Sequence, residues 1–174
     1  MTREAHRIIV EGMDGSGKTT LIWHLTKHFP LEVIVNDLGP QQNFEEWWPE
    51  MMERPEGPVK PIHDRFFFSE LIYGPILRGR INAPETLISN VAWALRSTSL
   101  LIYARPHSDI LRAGSRVEEQ MDGVHENFQK LLEHYDWFMG VEKQWYNDRF
   151  IHYDWNRPGS IEEVTELVRG YLGA

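Results

Sequence analysis

The run Arg7-Ile-Ile-Val10 is apolar until it meets a cluster of glycines, and beyond it Leu21, Ile22, Leu25 and Phe29 recur at helical spacing. The first pattern predicts a buried strand, the second an amphipathic helix from Lys18 that Pro30 stops. A second strand is predicted over 31–35 (LEVIV). A weak third one is predicted over 59–63, where Pro61 counts against it because proline donates no ladder hydrogen bond. Residues 37–61 show no period and are rich in Pro, Glu and aromatics. Helices are predicted over 68–78 and 84–96, and a strong strand over 99–103 (SLLIY). A short helix follows Pro106, a long one runs from about 124 to 145, and FIHY at 150–153 is a last strand. Ser160 reads as the cap of a final helix, with Glu163 completing an S-x-x-E capping box ahead of Val164, Leu167 and Val168. Strands alternating with helices predict an α/β fold, a parallel sheet covered on both faces. Ligands in such sheets bind at the carboxyl ends of the strands.

A chain of 174 residues suits one domain, 1–174, with a proper core. The net charge of −8 argues against the nucleic-acid backbone as the main partner, though a local basic cleft stays compatible with it. With no Cys there is no disulfide or thiolate chemistry, which fits a reducing compartment. The start has no apolar segment before a cleavage site, and no run approaches the roughly 20 apolar residues of a membrane span. The expected location is cytoplasmic, with no membrane partner.

The chemistry gathers first in EGMDGSGKTT, residues 11–20. It contains G-x-x-x-x-G-K-[ST], with Gly12, Gly17, Lys18 and Thr19 in the fixed places. Such a loop wraps backbone N–H groups around phosphate oxygens. The N–H groups from Asp14 through Gly15, Ser16 and Gly17 to Thr19, with Thr20 on the helix N-terminus, are expected to hold the phosphates of a nucleoside triphosphate. Lys18, expected in an exposed loop, would reach the β and γ phosphates, and the Thr19 hydroxyl would ligate Mg²⁺. Asp14 is the odd residue, a carboxylate in a loop built for anions. There is no N-K-x-D motif and no D-x-x-G after the third strand, which counts against a GTPase. The second informative stretch is HDRFFFSELIYG, 63–74. Asp64 and Arg65 end an apolar strand, beside the phosphates. Asp64 would hold Mg²⁺ or its water, and Arg65 would clamp a phosphate bidentately.

With these residues in view, the chain resembles the thymidylate kinases. That family opens with E-G-x-D-G-x-G-K-[ST]-T, which residues 11–20 match throughout, and continues with D-R-x-x-x-S-x-x-x-[YF], met by Asp64, Arg65, Ser69 and Tyr73. The resemblance implies a three-layer P-loop kinase fold with a five-stranded parallel sheet flanked by helices. It also implies an acceptor-binding segment at 37–61 and a lid at about 105–123. The implied reaction moves the γ-phosphoryl group of ATP, with Mg²⁺, onto dTMP or a similar deoxynucleoside monophosphate. Lys18, Asp64, Arg65 and the lid arginines Arg112 and Arg116 would be catalytic. Asp14 would face the acceptor and accept a hydrogen bond from its 3′-hydroxyl, which answers the oddity. Tyr73 would stack under the deoxyribose, and Ser69 would lie near the base or phosphate. One of Phe66, Phe67 and Phe68, with Phe66 the candidate, would stack on the base, while the run as a whole reads as core. Asn156, Arg157 and Pro158, after the last strand, would form a loop against adenine. A homodimer is compatible with the resemblance.

The chain departs from the pattern in two places. NDLGPQQ stands where the family has an arginine-rich turn, and Asp122-Gly123 replaces an Asp-Arg pair. Thymine as the base is therefore open. An alternative is a kinase for another acceptor: a nucleoside, a small metabolite or a hydroxymethylated base in DNA, the last being the reading that would make nucleic acid a partner. The acidic stretch FEEWWPEMMERPEG counts against a polymer. A nucleotide-binding switch without catalysis is the third reading.

Overall fold

A computed structural model describes residues 7–36, 58–114 and 122–173, with the backbone alone at 85 and 112–114. In chain order the elements are β1 (Arg7–Glu11), α1 (Lys18–His28), β2 (Leu31–Val35), β3 (Lys60–Asp64), α2 (Phe67–Tyr73) and a π-helical turn (Gly74–Arg78). There follow α3 (Glu85–Thr98), β4 (Ser99–Ala104), α4 (Ser108–Gly114), α5 (Phe128–Tyr146), a 3₁₀ turn (Asn147–Arg149), β5 (Phe150–Tyr153) and α6 (Ser160–Leu172). The five strands form one parallel sheet in the order β2-β3-β1-β4-β5. Past β1, the chain crosses from β3 on one side to β4 on the other, so β1 ends where ligands bind in open α/β sheets.

β1 and β4 are buried at every position because helices cover both faces. Ile8, Val10, Ile62, Leu100 and Ile102 belong to the core that includes Leu21 and Leu25 of α1 and Val164 and Val168 of α6. Ile9, Leu101 and Tyr103 belong to the opposite core, with residues of α2, α3 and α5. That alternation is the two-residue period of a strand, and it makes the layers three. No helix among the described residues is long and apolar enough to cross a membrane.

Three local features differ from the sequence expectations. The third strand spans Lys60–Asp64 and tolerates Pro61, because pairing to β1 starts only at Ile62. The second helix breaks after Tyr73 into the π turn, with Pro75 at its start. Proline lacks the N–H and its ring crowds the carbonyl four residues back, so an ordinary ladder cannot continue. The capping box does not form. Gly159 (φ 76°) occupies the cap position of α6, and no side chain caps the helix. The Ser160 hydroxyl has no partner among the described residues, and Glu163 pairs with Arg157 instead. A box needs the serine just outside the helix in extended backbone, whereas here a left-handed glycine starts the helix one residue earlier.

Candidate active site

The loop between β1 and α1 is shaped by close approach. Gly12 has φ 149°, and a Cβ there would lie 2.4 Å from the Ala104 carbonyl oxygen and 2.7 Å from Ser16 Oγ. Gly17, at φ 87°, starts α1, and a Cβ on it would lie 2.7 Å from Cδ1 of Trp155. Trp155, Arg157 and the first residues of α6 therefore form one wall of a cavity of about 1000 Å³, with Gly17, Thr19 and Thr20 on another.

Lys18 is buried, not exposed, and its Nζ donates to the Met13 carbonyl at 2.8 Å. Burial pushes its pKa down to about 7, assisted by the nearby Arg65 cation and resisted by Asp14, Asp64 and Glu11. An incoming phosphate would restore the charge. ATP binding at pH 8 is therefore expected to take up most of one proton, seen as a buffer-dependent enthalpy in titration calorimetry. The uptake should vanish in Lys18→Met. Equal enthalpies in buffers of unlike ionisation heat would show that Lys18 is already charged.

Asp64 ends β3 opposite Val10, which brings it to the loop. Thr19 Oγ1 donates to Asp64 Oδ2 at 3.4 Å. Two hard oxygen donors thus converge from separate elements, a set that fits Mg²⁺. No cluster of three or more His, Cys, Asp or Glu suited to a metal occurs among the described residues, so substrate phosphate and water would complete the shell.

Arg65 follows in a left-handed conformation (φ 66°), uncommon outside glycine. Its N–H donates to the Val10 carbonyl at 3.0 Å and its carbonyl accepts from Asn36 Nδ2 at 2.7 Å, so neighbours on both sides hold the strained residue. The guanidinium pairs with Asp14 and donates through Nη1 to Ser69 Oγ and the Tyr135 hydroxyl, each at 3.3 Å. It lies 5.4 Å from the Tyr73 ring centre. Burial opposes the charge, but Tyr73, Tyr135, Asp14 and Glu11 outweigh it and hold the pKa well above the ordinary arginine value.

No family model matches the chain, and no curated protein does. Solved structures do. The YorR protein from Bacillus subtilis, in complex with phosphorylated GDP, superimposes with a TM-score of 0.67 at 20% identity, over 93% of this chain and 92% of that one. Deoxyadenosine kinase from M. mycoides with bound dATP gives 0.61 at 16% identity, over 94% and 99%. Thymidylate kinase from Candida albicans gives 0.61 at 14% identity, over 95% and 89%. The fold is the three-layer P-loop kinase fold.

Within this kinase fold the expected residues separate into groups. Asp14, Lys18, Thr19, Asp64 and Arg65 come together at the ends of β1 and β3. Ser69 and Tyr73 are buried beside them. Ser69 is engaged by Glu11, Tyr135 and Arg65, and the Tyr73 hydroxyl has no partner among the described residues. Phe66, expected to stack on a base, is fully buried, edge-on to His63 at 4.7 Å, and belongs to the core. Asn156, expected against adenine, is exposed, with its N–H on Asp154 Oδ1 at 3.0 Å, while its neighbours Trp155 and Arg157 line the cavity. Arg112 lies on α4 with its side chain outside the described residues, as is all of Arg116 and most of 37–61. At the root of the expected lid, Arg105 makes a two-pronged pair with Asp136, through Nε at 2.7 Å and Nη2 at 2.8 Å.

Sequence reasoning missed Glu11, Tyr135, Asn36 and Trp155. For Glu11 a signal existed, since a carboxylate ending a buried strand needs partners. Tyr135 had none, being one aromatic among many on a helical face.

Proposed function

We propose that the chain transfers the γ-phosphoryl group of ATP to the phosphate of a deoxynucleoside monophosphate of the dTMP type, giving the diphosphate and ADP. One observation carries this reading. Arg65 and Asp14 stand side by side next to Lys18, a cation and a carboxylate joined at the edge of the phosphate loop. A nucleotide offers the complementary pair, a phosphate for Arg65 and a sugar hydroxyl for Asp14. The kinase neighbours support phosphoryl transfer as the reaction class.

An acceptor phosphate oxygen attacks the γ-phosphorus in line, and the bond to the β,γ-bridging oxygen breaks. The acceptor oxygen is already ionised at neutral pH, so no strong general base is needed. The protein's work is positioning and charge neutralisation. The loop N–H groups of residues 14–19 hold the donor phosphates, and Lys18 exchanges its Met13 partner for phosphate oxygen. Arg65 orients the acceptor phosphate. Arg112 and Arg116 are proposed to meet the transferring group from the lid. Thr19 and Asp64 would hold Mg²⁺, which when bound neutralises charge on the β and γ phosphates. The donor occupies the cavity beside Trp155.

The test is ATP consumption against a panel of nucleosides, nucleoside monophosphates and DNA carrying hydroxymethylated bases. Turnover confined to monophosphates is expected. Turnover only of nucleosides or of DNA would overturn the acceptor assignment. Excess EDTA should abolish activity and Mg²⁺ restore it; full activity in EDTA would remove Thr19 and Asp64 from the mechanism.

Asp14→Asn separates acceptor from donor. A hydrogen bond to a charged group contributes about 1.5–3 kcal/mol, so kcat/KM for the acceptor should fall roughly tenfold to a hundredfold. ATP affinity should change little, and an acceptor lacking the 3′-hydroxyl should lose much less. Weaker ATP binding with unchanged acceptor discrimination would assign the carboxylate to the donor side.

A further inference from the structure

Glu11 touches neither proposed substrate position, yet it is a fully buried carboxylate at the end of the central strand. Its Oε1 accepts the Phe66 N–H at 2.7 Å. Its Oε2 accepts the Ser69 hydroxyl at 2.8 Å and the Tyr135 hydroxyl at 3.3 Å. These are the two hydroxyls that Arg65 Nη1 contacts. We propose that Glu11 is a positioning residue that orients the Ser69 and Tyr135 hydroxyl protons toward itself, so that both oxygens turn lone pairs to Arg65 and hold its guanidinium beside Asp14. The functional half of this inference rests on the kinase reading above.

Proton counting supports it. Each hydroxyl has one proton to give. The Ser69 and Tyr135 oxygens are also 3.1 Å apart, so either could donate to the other. A carboxylate in a buried site is the stronger acceptor and takes both protons. Nη1 can only donate, and it then finds two acceptors. The Phe66 N–H fastens the same carboxylate to the residue after Arg65, so a single side chain steadies both the strained backbone and the guanidinium.

Glu11→Gln tests this with almost no change of shape. The Phe66 N–H demands an acceptor, so the amide oxygen must stay at the Oε1 position. The amide NH₂ then faces Ser69 and Tyr135. Both hydroxyls must accept from it, and at least one proton turns toward Arg65. The carboxylate's replacement thus reverses the polarity of the shelf under the guanidinium.

Two measurements read the outcome. The first needs no substrate: nitrogen-15 NMR of the arginine side chains, with Arg65 assigned by its loss in Arg65→Lys. Resolved, slowly rotating Arg65 Nη signals are expected in the wild type and averaged ones in Glu11→Gln. The second is kinetic. The acceptor KM should rise about tenfold, with the ATP KM and the melting temperature nearly unchanged. In a Ser69→Ala, Tyr135→Phe background, where no hydroxyl remains to reverse, Glu11→Gln should add little. Should Glu11→Gln fail to fold, Tyr135→Phe alone should shift the Arg65 signals in the same direction.

Unchanged Arg65 signals in both variants would overturn the proposal. So would equal losses for ATP and acceptor accompanied by a fallen melting temperature, the mark of a merely structural carboxylate. A wild type that phosphorylates none of the panel would refute the kinase reading, and the NMR comparison would still decide what Glu11 does to Arg65.

Discussion

Replacing Lys18 with alanine is expected to lower kcat by about a hundredfold to a thousandfold, the usual cost of removing a preorganised charge from a developing phosphoryl oxyanion. The fold should survive. Nζ donates one hydrogen bond, to the Met13 carbonyl, among the described residues, and burial of the ammonium opposes folding instead of driving it. The sign follows from linkage. With a folded pKa of about 7, below the unfolded value, the unfolded state binds more protons between the two, so stability contributed through Lys18 rises with pH across that window. Wild-type protein should accordingly gain melting temperature relative to Lys18→Ala as pH climbs from 7 toward 10. At pH 7 the two should melt within about 4 °C of each other, the shift expected for roughly 1 kcal/mol in a chain of this size. A kcat within twofold of wild type would end the P-loop kinase reading. Loss of activity together with loss of the fold would leave Lys18 a structural residue.

Gly12→Ala should cost the most stability, about 3 kcal/mol, and remove ATP binding with it. The added methyl meets the Ala104 carbonyl oxygen at 2.4 Å, and that oxygen belongs to the buried interior strand β4, not to a side chain that can turn away. The conformation itself, at φ 149°, is one that side chains other than glycine's rarely take. Relief requires the loop to lift from the sheet, which would disperse the N–H groups proposed to hold phosphate. The matched control is Gly140→Ala on α5, where a Cβ meets nothing within 4 Å. There alanine should stabilise the helix by about 0.5–1 kcal/mol. Urea melts of the two variants, with ATP titrations, provide the check. Indistinguishable midpoints would mean that the loop does not lie against β4 as described.

The sequence by itself determined what is locally encoded. The apolar run before the glycines predicted a strand covered on both faces, and the 3.6-residue spacing after Lys18 predicted an amphipathic helix beginning at the loop, as the fold has them. The fixed residues of that loop pointed to a phosphate site at the carboxyl end of the first strand, the site proposed above, and the Asp64-Arg65 pair ending another apolar run lies at the same edge. Three things were decided only in the folded molecule. Strand order is one, because runs buried on both faces carry no mark of their neighbours, and packing and crossover handedness placed β1 between β3 and β4. Cap and turn geometry is another: Gly159 took the cap that Ser160-x-x-Glu163 advertised, since backbone conformation decides which residue stands outside the helix. The last is the electrostatic setting of the site. Lys18 proved buried, Phe66 turned into the core, and Glu11 found Tyr135, 124 residues away in sequence, because a carboxylate sealed under a sheet must take its donors from whatever helix packs there.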